Sequence, residues 1–67
     1  MRIDRGRLDL ILAEQGMTYV DMARACGLGY SNLNALLRRK NNRPATLGKI
    51  AEALGVDVRE IIQKEEG

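Results

Sequence analysis

Apolar residues recur at three- and four-residue intervals along most of the chain and nowhere alternate over a useful run, so the pattern predicts an all-α protein. A first helix is expected from Asp4 or Arg5 to Gln15, with Leu8, Ile11 and Leu12 as its apolar stripe. Asp4 is its candidate N-cap and Gly16 its stop; Gly6 weakens its first turn slightly. Met17 packs back after the stop. A second helix starts at Thr18, whose hydroxyl can cap the amide of Asp21, a T-x-x-D variant of the capping box. It carries Met22, Ala23 and Cys26 on one face and ends at Gly27. The third helix runs from Gly29 or Tyr30 to about Arg38 and points Leu33, Leu36 and Leu37 inward. The segment from Arg39 to Pro44 reads as a loop, with two Asn and a Pro but no apolar anchor. A fourth helix is expected after an N-cap at Thr46, burying Leu47, Ile50, Ala51 and Leu54 and stopping at Gly55. The fifth starts at Asp57, which forms a D-x-x-E pair with Glu60, and buries Val58, Ile61 and Ile62. A charged tail, 63–67, is expected to fray.

The spacing between the second and third helices changes the picture. Two helices crossing at about 100° through so short a turn need a small residue at the crossing and a residue tolerant of positive φ at the corner. They also need apolar residues pointing back inside. Ala23, Gly27, and Leu28 with Leu33 and Leu36 supply these in order. Such a helix-turn-helix, over about 18–38, holds its second helix out from the body, where it fits a DNA major groove.

Charge supports a polyanionic partner only when it is mapped along the chain. The net charge is +2, yet the stretch Met22 to Ala51 has no acidic residue and six basic ones: Arg24, Arg38, Arg39, Lys40, Arg43 and Lys49. The rest carries five basic and nine acidic residues, so the total divides into +6 and −4. A small domain with its positive charge gathered beside a presentable helix suits a nucleic acid.

Sixty-seven residues allow one domain with a small core. Catalysis is not expected. There is no His, Ser31 is the only serine, and no Walker or Rossmann glycine pattern occurs. With one cysteine, Cys26, no internal disulfide can form; with no His and no Cys/His cluster no transition-metal site is expected, and no cofactor is expected. Cys26, Met17 and Met22 read as core fillers, and Arg24 as a surface residue. No targeting or membrane-spanning segment is visible, so the expected location is the cytoplasm, in a bacterial or phage-encoded protein, with no membrane partner.

Over nearly the whole chain, Ile3 to Gln63, the pattern resembles the phage-repressor and Cro-like helix-turn-helix family, also called the XRE family. The resemblance is carried by Met17-Thr18, Met22-Ala23, Cys26-Gly27-Leu28, Leu33, Leu36, the basic loop ending in Pro44, and the run Leu47 to Val56. It implies a compact five-helix, lambda-repressor-like domain that binds operator DNA as a homodimer. By position, the resemblance implies base reading at Tyr30, Ser31, Asn34 and Ala35. Phosphate contacts fall at Thr18, Tyr19, Asn32, Asn42 and Arg43, and dimer contacts at Thr46, Val58 and Arg59. Arg38, Arg39 and Lys40 read with Arg43 as a phosphate clamp. The chain departs from the family at four places. Tyr19 stands where Gln is common, Gly29 where Ser or Thr is common, and Ala35 where Gln or Arg is frequent. Leu12 and Leu37 replace an Arg–Glu pair, and an apolar pair is a stable substitute for a buried ion pair. The expected function is a transcriptional regulator, in the repressor sense, reading the major groove with the third helix. The alternative is a protein-interaction module on the same fold, such as an antitoxin or adaptor with little base readout, and a protein partner is compatible with either.

Overall fold

The computed structural model describes residues 1–63. Four α-helices, α1 (Arg5–Gln15), α2 (Tyr19–Cys26), α3 (Tyr30–Arg38) and α4 (Pro44–Leu54), are followed by a single 3₁₀ turn, Val58–Glu60. Fraying of the charged tail was expected over 63–67; of these, 64–67 lie outside the described residues, whereas the backbone N–H of Gln63 donates to the Arg2 carbonyl at 2.9 Å.

The helix ends are set by short-range chemistry. Asp4 caps α1 by accepting from the Arg7 amide at 3.1 Å. Thr18 and Asp21 form the reciprocal capping box of α2, with bonds of 3.1 and 2.9 Å. Gly27, at φ 70°, ends α2 in the left-handed region, where its N–H reaches back to the Ala23 and Arg24 carbonyls. That corner turns the chain directly into α3.

The core gathers Leu8, Ile11 and Leu12 of α1, Met22 and Ala23 of α2, Leu33, Leu36 and Leu37 of α3, and Leu47, Ile50, Ala51 and Leu54 of α4. Ile3 and Ile61 complete it from the two ends of the described chain. α4 packs against both α2 and the 3₁₀ turn, and α2 packs against α3, so α4 ties the helix-turn-helix to the rest. Leu12 and Leu37 are both buried, as an apolar replacement for an ion pair requires.

Two expectations need correction. The fourth helix does not start after Thr46. It starts at Pro44, with Arg43 at the N-cap and no side-chain cap. Proline's fixed φ and missing N–H suit the first helical position, and this outweighs the capping preference of Thr. The fifth helix is not an α-helix. Its Asp57–Glu60 box forms as expected, but only one 3₁₀ turn follows. The reason lies at the other end of the chain. The Ile61 carbonyl accepts from the Asp4 amide at 2.8 Å, and Ile62 forms an antiparallel bridge with Ile3. These bonds hold the chain against the N-terminal segment there, and Ile61 is buried while Ile62 is half-buried.

Candidate nucleic-acid interface

The exposed side of α3 follows from what its other side buries. With Leu33, Leu36 and Leu37 in the core, Tyr30, Ser31 and Ala35 are exposed and Asn34 is half-buried. Tyr30 keeps 51% of its surface although it is one of only two aromatic residues. Tyr30, Asn34 and Arg38 stand four residues apart, so they form one row along the helix. Arg38 therefore continues the same face that Tyr30 begins.

Beyond α3 the charge becomes dense. Arg38, Arg39, Lys40 and Arg43 are all exposed. Among the described residues none of them is in an ion pair; the two pairs found are Arg7–Asp4 and Arg59–Asp57. The cations thus remain available to an external anion. Asn32 is also exposed.

The start of α2 is more constrained. The Thr18 oxygen accepts from the Asp21 amide, leaving its hydroxyl proton free to donate outward. Tyr19 is half-buried, and its hydroxyl donates to the Asp9 carboxylate of α1. The Arg5 guanidinium lies over the Tyr19 ring, 5.3 Å from its centroid. Burial, with the Asp9 bond second, raises the Tyr19 pKa above its ordinary value. Arg5 and Asp9 were not expected at this site. Their only signal is the i, i+4 spacing of an exposed pair on α1, which says nothing about α2.

Asn42 differs most from its expected role. Its side chain is 4% exposed, and among the described residues neither Oδ1 nor Nδ2 has a hydrogen-bond partner. Its backbone N–H donates to the Met1 carbonyl at 2.6 Å. The N-terminal segment covers this loop position, so Asn42 presents no side-chain atom to a phosphate.

The expected dimer residues do not share one environment. Thr46 and Val58 are half-buried, whereas Arg59 is exposed and clamps Asp57 through its Nε and Nη2 at 3.1 and 3.0 Å. That pairing, chiefly the Arg59 side-chain bond, holds Asp57 at a pKa of about 2. Cys26 is half-buried, and burial pushes its thiol up, away from the reactive thiolate. Among the described residues no helix is long and apolar enough to cross a membrane.

The family model of Cro/C1-type helix-turn-helix DNA-binding domains matches residues 7–66. The chain belongs to that family. Such a domain is by description a DNA-binding one, and α2 and α3, joined at the Gly27 corner, have the form of its helix-turn-helix. No curated relative matches the chain. Among solved structures, a hydroxyethylphosphonate dioxygenase variant is 28% identical with a TM-score of 0.77. Native PhpD with cadmium atoms gives the same values, and PhpD with cadmium complexed with HEP gives a TM-score of 0.76. Each alignment covers 100% of this chain and 15% of the other, so this chain spans only a small part of those proteins.

Proposed function

We propose that this Cro/C1-type domain is a transcriptional regulator, acting as a repressor, that inserts α3 into the major groove of an operator. The observation that carries this reading is the row of exposed Tyr30, half-buried Asn34 and exposed Arg38 running into Arg39, Lys40 and Arg43, with no cation among them neutralised among the described residues. Asn34 can pair with adenine N6 and N7, while Tyr30 and Ser31 can contact neighbouring base edges. The Ala35 methyl can meet a thymine methyl. Arg38, Arg39, Lys40 and Arg43, with Thr18 and Asn32, would hold the phosphates and so fix the register of α3. Asn42 contributes to this reading only through the loop it shapes.

Dimerisation through Thr46, Val58 and Arg59 would place two copies of α3 about one helical turn apart, roughly 34–36 Å, on a twofold site. A cytoplasmic setting, in a bacterium or encoded by a phage, goes with this role, and binding rather than catalysis is the activity assigned. The second reading, a protein-interaction module on this fold, draws on one observation: the same fold occurs as a small part of a dioxygenase.

Binding to a randomised duplex library, sequenced after selection at two salt concentrations, separates the two. Enrichment of a palindrome is expected for a dimeric regulator. Salt-sensitive binding without enrichment would reduce the role to backbone recognition. No binding at either salt concentration would favour the interaction module.

A further inference from the structure

Most polar clusters in this molecule are explained by the helix ends they close. Thr18 with Asp21 caps α2, Asp57 with Glu60 caps the 3₁₀ turn, and Asp4 caps α1. The cluster of Arg5, Asp9 and Tyr19 caps nothing. It joins two side chains one turn apart on α1 to the first residue of α2. It also lies beside Thr18, whose hydroxyl proton is free to face a phosphate.

A phenol has one proton to donate, and here Asp9 accepts it. A DNA phosphate arriving at the start of α2 would want the same proton and would meet the Asp9 carboxylate as a like charge. Arg5, parked over the Tyr19 ring, is exposed and forms no ion pair among the described residues. Cation–π contact at an exposed site is weak, about 0.5–1 kcal/mol. A phosphate can draw the guanidinium away at little cost.

We propose that Asp9 is a built-in competitor of DNA at the start of α2, occupying the Tyr19 hydroxyl that a backbone phosphate would otherwise engage, with Arg5 held in reserve as the cation that the phosphate recruits. This rests on the reading of Tyr19 as a phosphate contact. In consequence α1, which carries no expected DNA contact, sets the affinity of the domain. Sequence preference is left to α3, because the competition involves only a phosphate.

The test uses the full chain and duplexes selected from the randomised library, with affinity measured across a salt series. Asp9→Asn keeps an acceptor for the hydroxyl but removes the charge. It is expected to tighten binding about threefold to tenfold on every duplex and to steepen the salt dependence. Arg5→Ala is expected to weaken binding and to reduce the slope by about 0.9, the loss of one phosphate contact. A Tyr19→Phe background isolates the hydroxyl. Under competition, most of the Asp9→Asn gain disappears there, whereas simple relief of charge repulsion would leave the gain intact and overturn the proposal. Unchanged or weaker binding by Asp9→Asn would also overturn it.

A second readout needs no DNA. With Tyr30→Phe, Tyr19 is the sole phenol, and Asp9→Asn should lower its titration midpoint. An unmoved midpoint would show that Asp9 does not hold the hydroxyl. Failure of the wild-type protein to bind any duplex would sink the DNA-contact reading itself, and the competition with it. Duplex binding that ignores Asp9 would sink the competition alone.

Discussion

Between Thr18 and Arg38 the backbone is started and stopped by residues acting within four positions of themselves. Arg2 to Asp4 and Ile61 to Gln63, by contrast, are held by bonds that span almost the whole chain. In the first region Thr18 caps Asp21, Gly27 turns the corner, and α3 follows at once. In the second, Asp4 binds Ile61, Gln63 binds Arg2, and Ile3 bridges Ile62. The helix-turn-helix is therefore specified locally and can form early, since closing a short loop costs less entropy than closing a long one. Closure of the two ends comes at the cost of a long loop, and it is repaid by burying Ile3 and Ile61. α4 packs against both α2 and the 3₁₀ turn and so links the two regions.

Removing apolar volume at the closure tests that cooperativity most severely. Ile61 is fully buried, so Ile61→Ala should cost about 2–5 kcal/mol in urea denaturation. For a domain this small, that is a large share of a total near the lower end of about 5–15 kcal/mol. If α4 couples the regions, helicity of α2 and α3 is lost in the same transition. If the closure were independent, the Asp4 and Gln63 amides would exchange with solvent early while the α3 amides stayed protected.

Gly27→Ala attacks the local region instead. An added Cβ would meet nothing within 4 Å, and the residue sits at φ +70°. The expected loss of about 1–2 kcal/mol is therefore purely the cost of a left-handed backbone. The same measurement at Gly48, which lies inside α4 with open space around it, should give a gain, because Ala favours a helix there. Opposite signs at two unobstructed glycines would establish that the corner, not crowding, demands glycine.

This division also decides what could be read in advance. The capping box, the stops at Gly16, Gly27 and Gly55, and the buried faces of all four α-helices follow from spacing and residue type alone. Pro44 was a legible signal overshadowed by Thr46. Nothing near Asp57 announced that its helix would end after one turn, because the cause is an amide at Asp4. Asp9 and Tyr19 are likewise ten residues apart on different helices, and only their packing brings them together. Buried Asn42 carries no local mark either. In a loop rich in polar residues it looked like its neighbours.

Asn42 offers a smaller test at the meeting point of the two regions. Its side-chain amide is buried without partners among the described residues, so replacing it with an apolar group of similar shape removes a desolvation penalty. Asn42→Leu should leave stability unchanged or raise it by up to about 1 kcal/mol, read by thermal melting. DNA affinity should be unaffected, since no side-chain atom faces outward. A stabilised variant that binds DNA less well would show that the loop opens in the complex and exposes the amide.

The smallest effect expected is an acid limb in the stability profile, and it distinguishes the two capping boxes. Asp21 and Asp57 both have folded pKa values below the ordinary carboxylate value, so each contributes stability at pH above about 4 that is lost as the pH falls. For Asp57 the loss runs down to its folded value of about 2. The causes differ. Asp57 is lowered first by the Arg59 side chain, an exposed ion pair that salt screens. Asp21 is lowered first by the Thr18 backbone amide, a neutral donor. Melting temperatures taken from pH 6 to pH 2 at low and at 1 M salt should therefore separate them. Salt should shrink the part of the acid limb that Asp57→Asn removes and spare the part that Asp21→Asn removes. Equal sensitivity of the two would mean that Arg24, a minor influence on Asp21, matters more to the local box than the backbone bond that closes it.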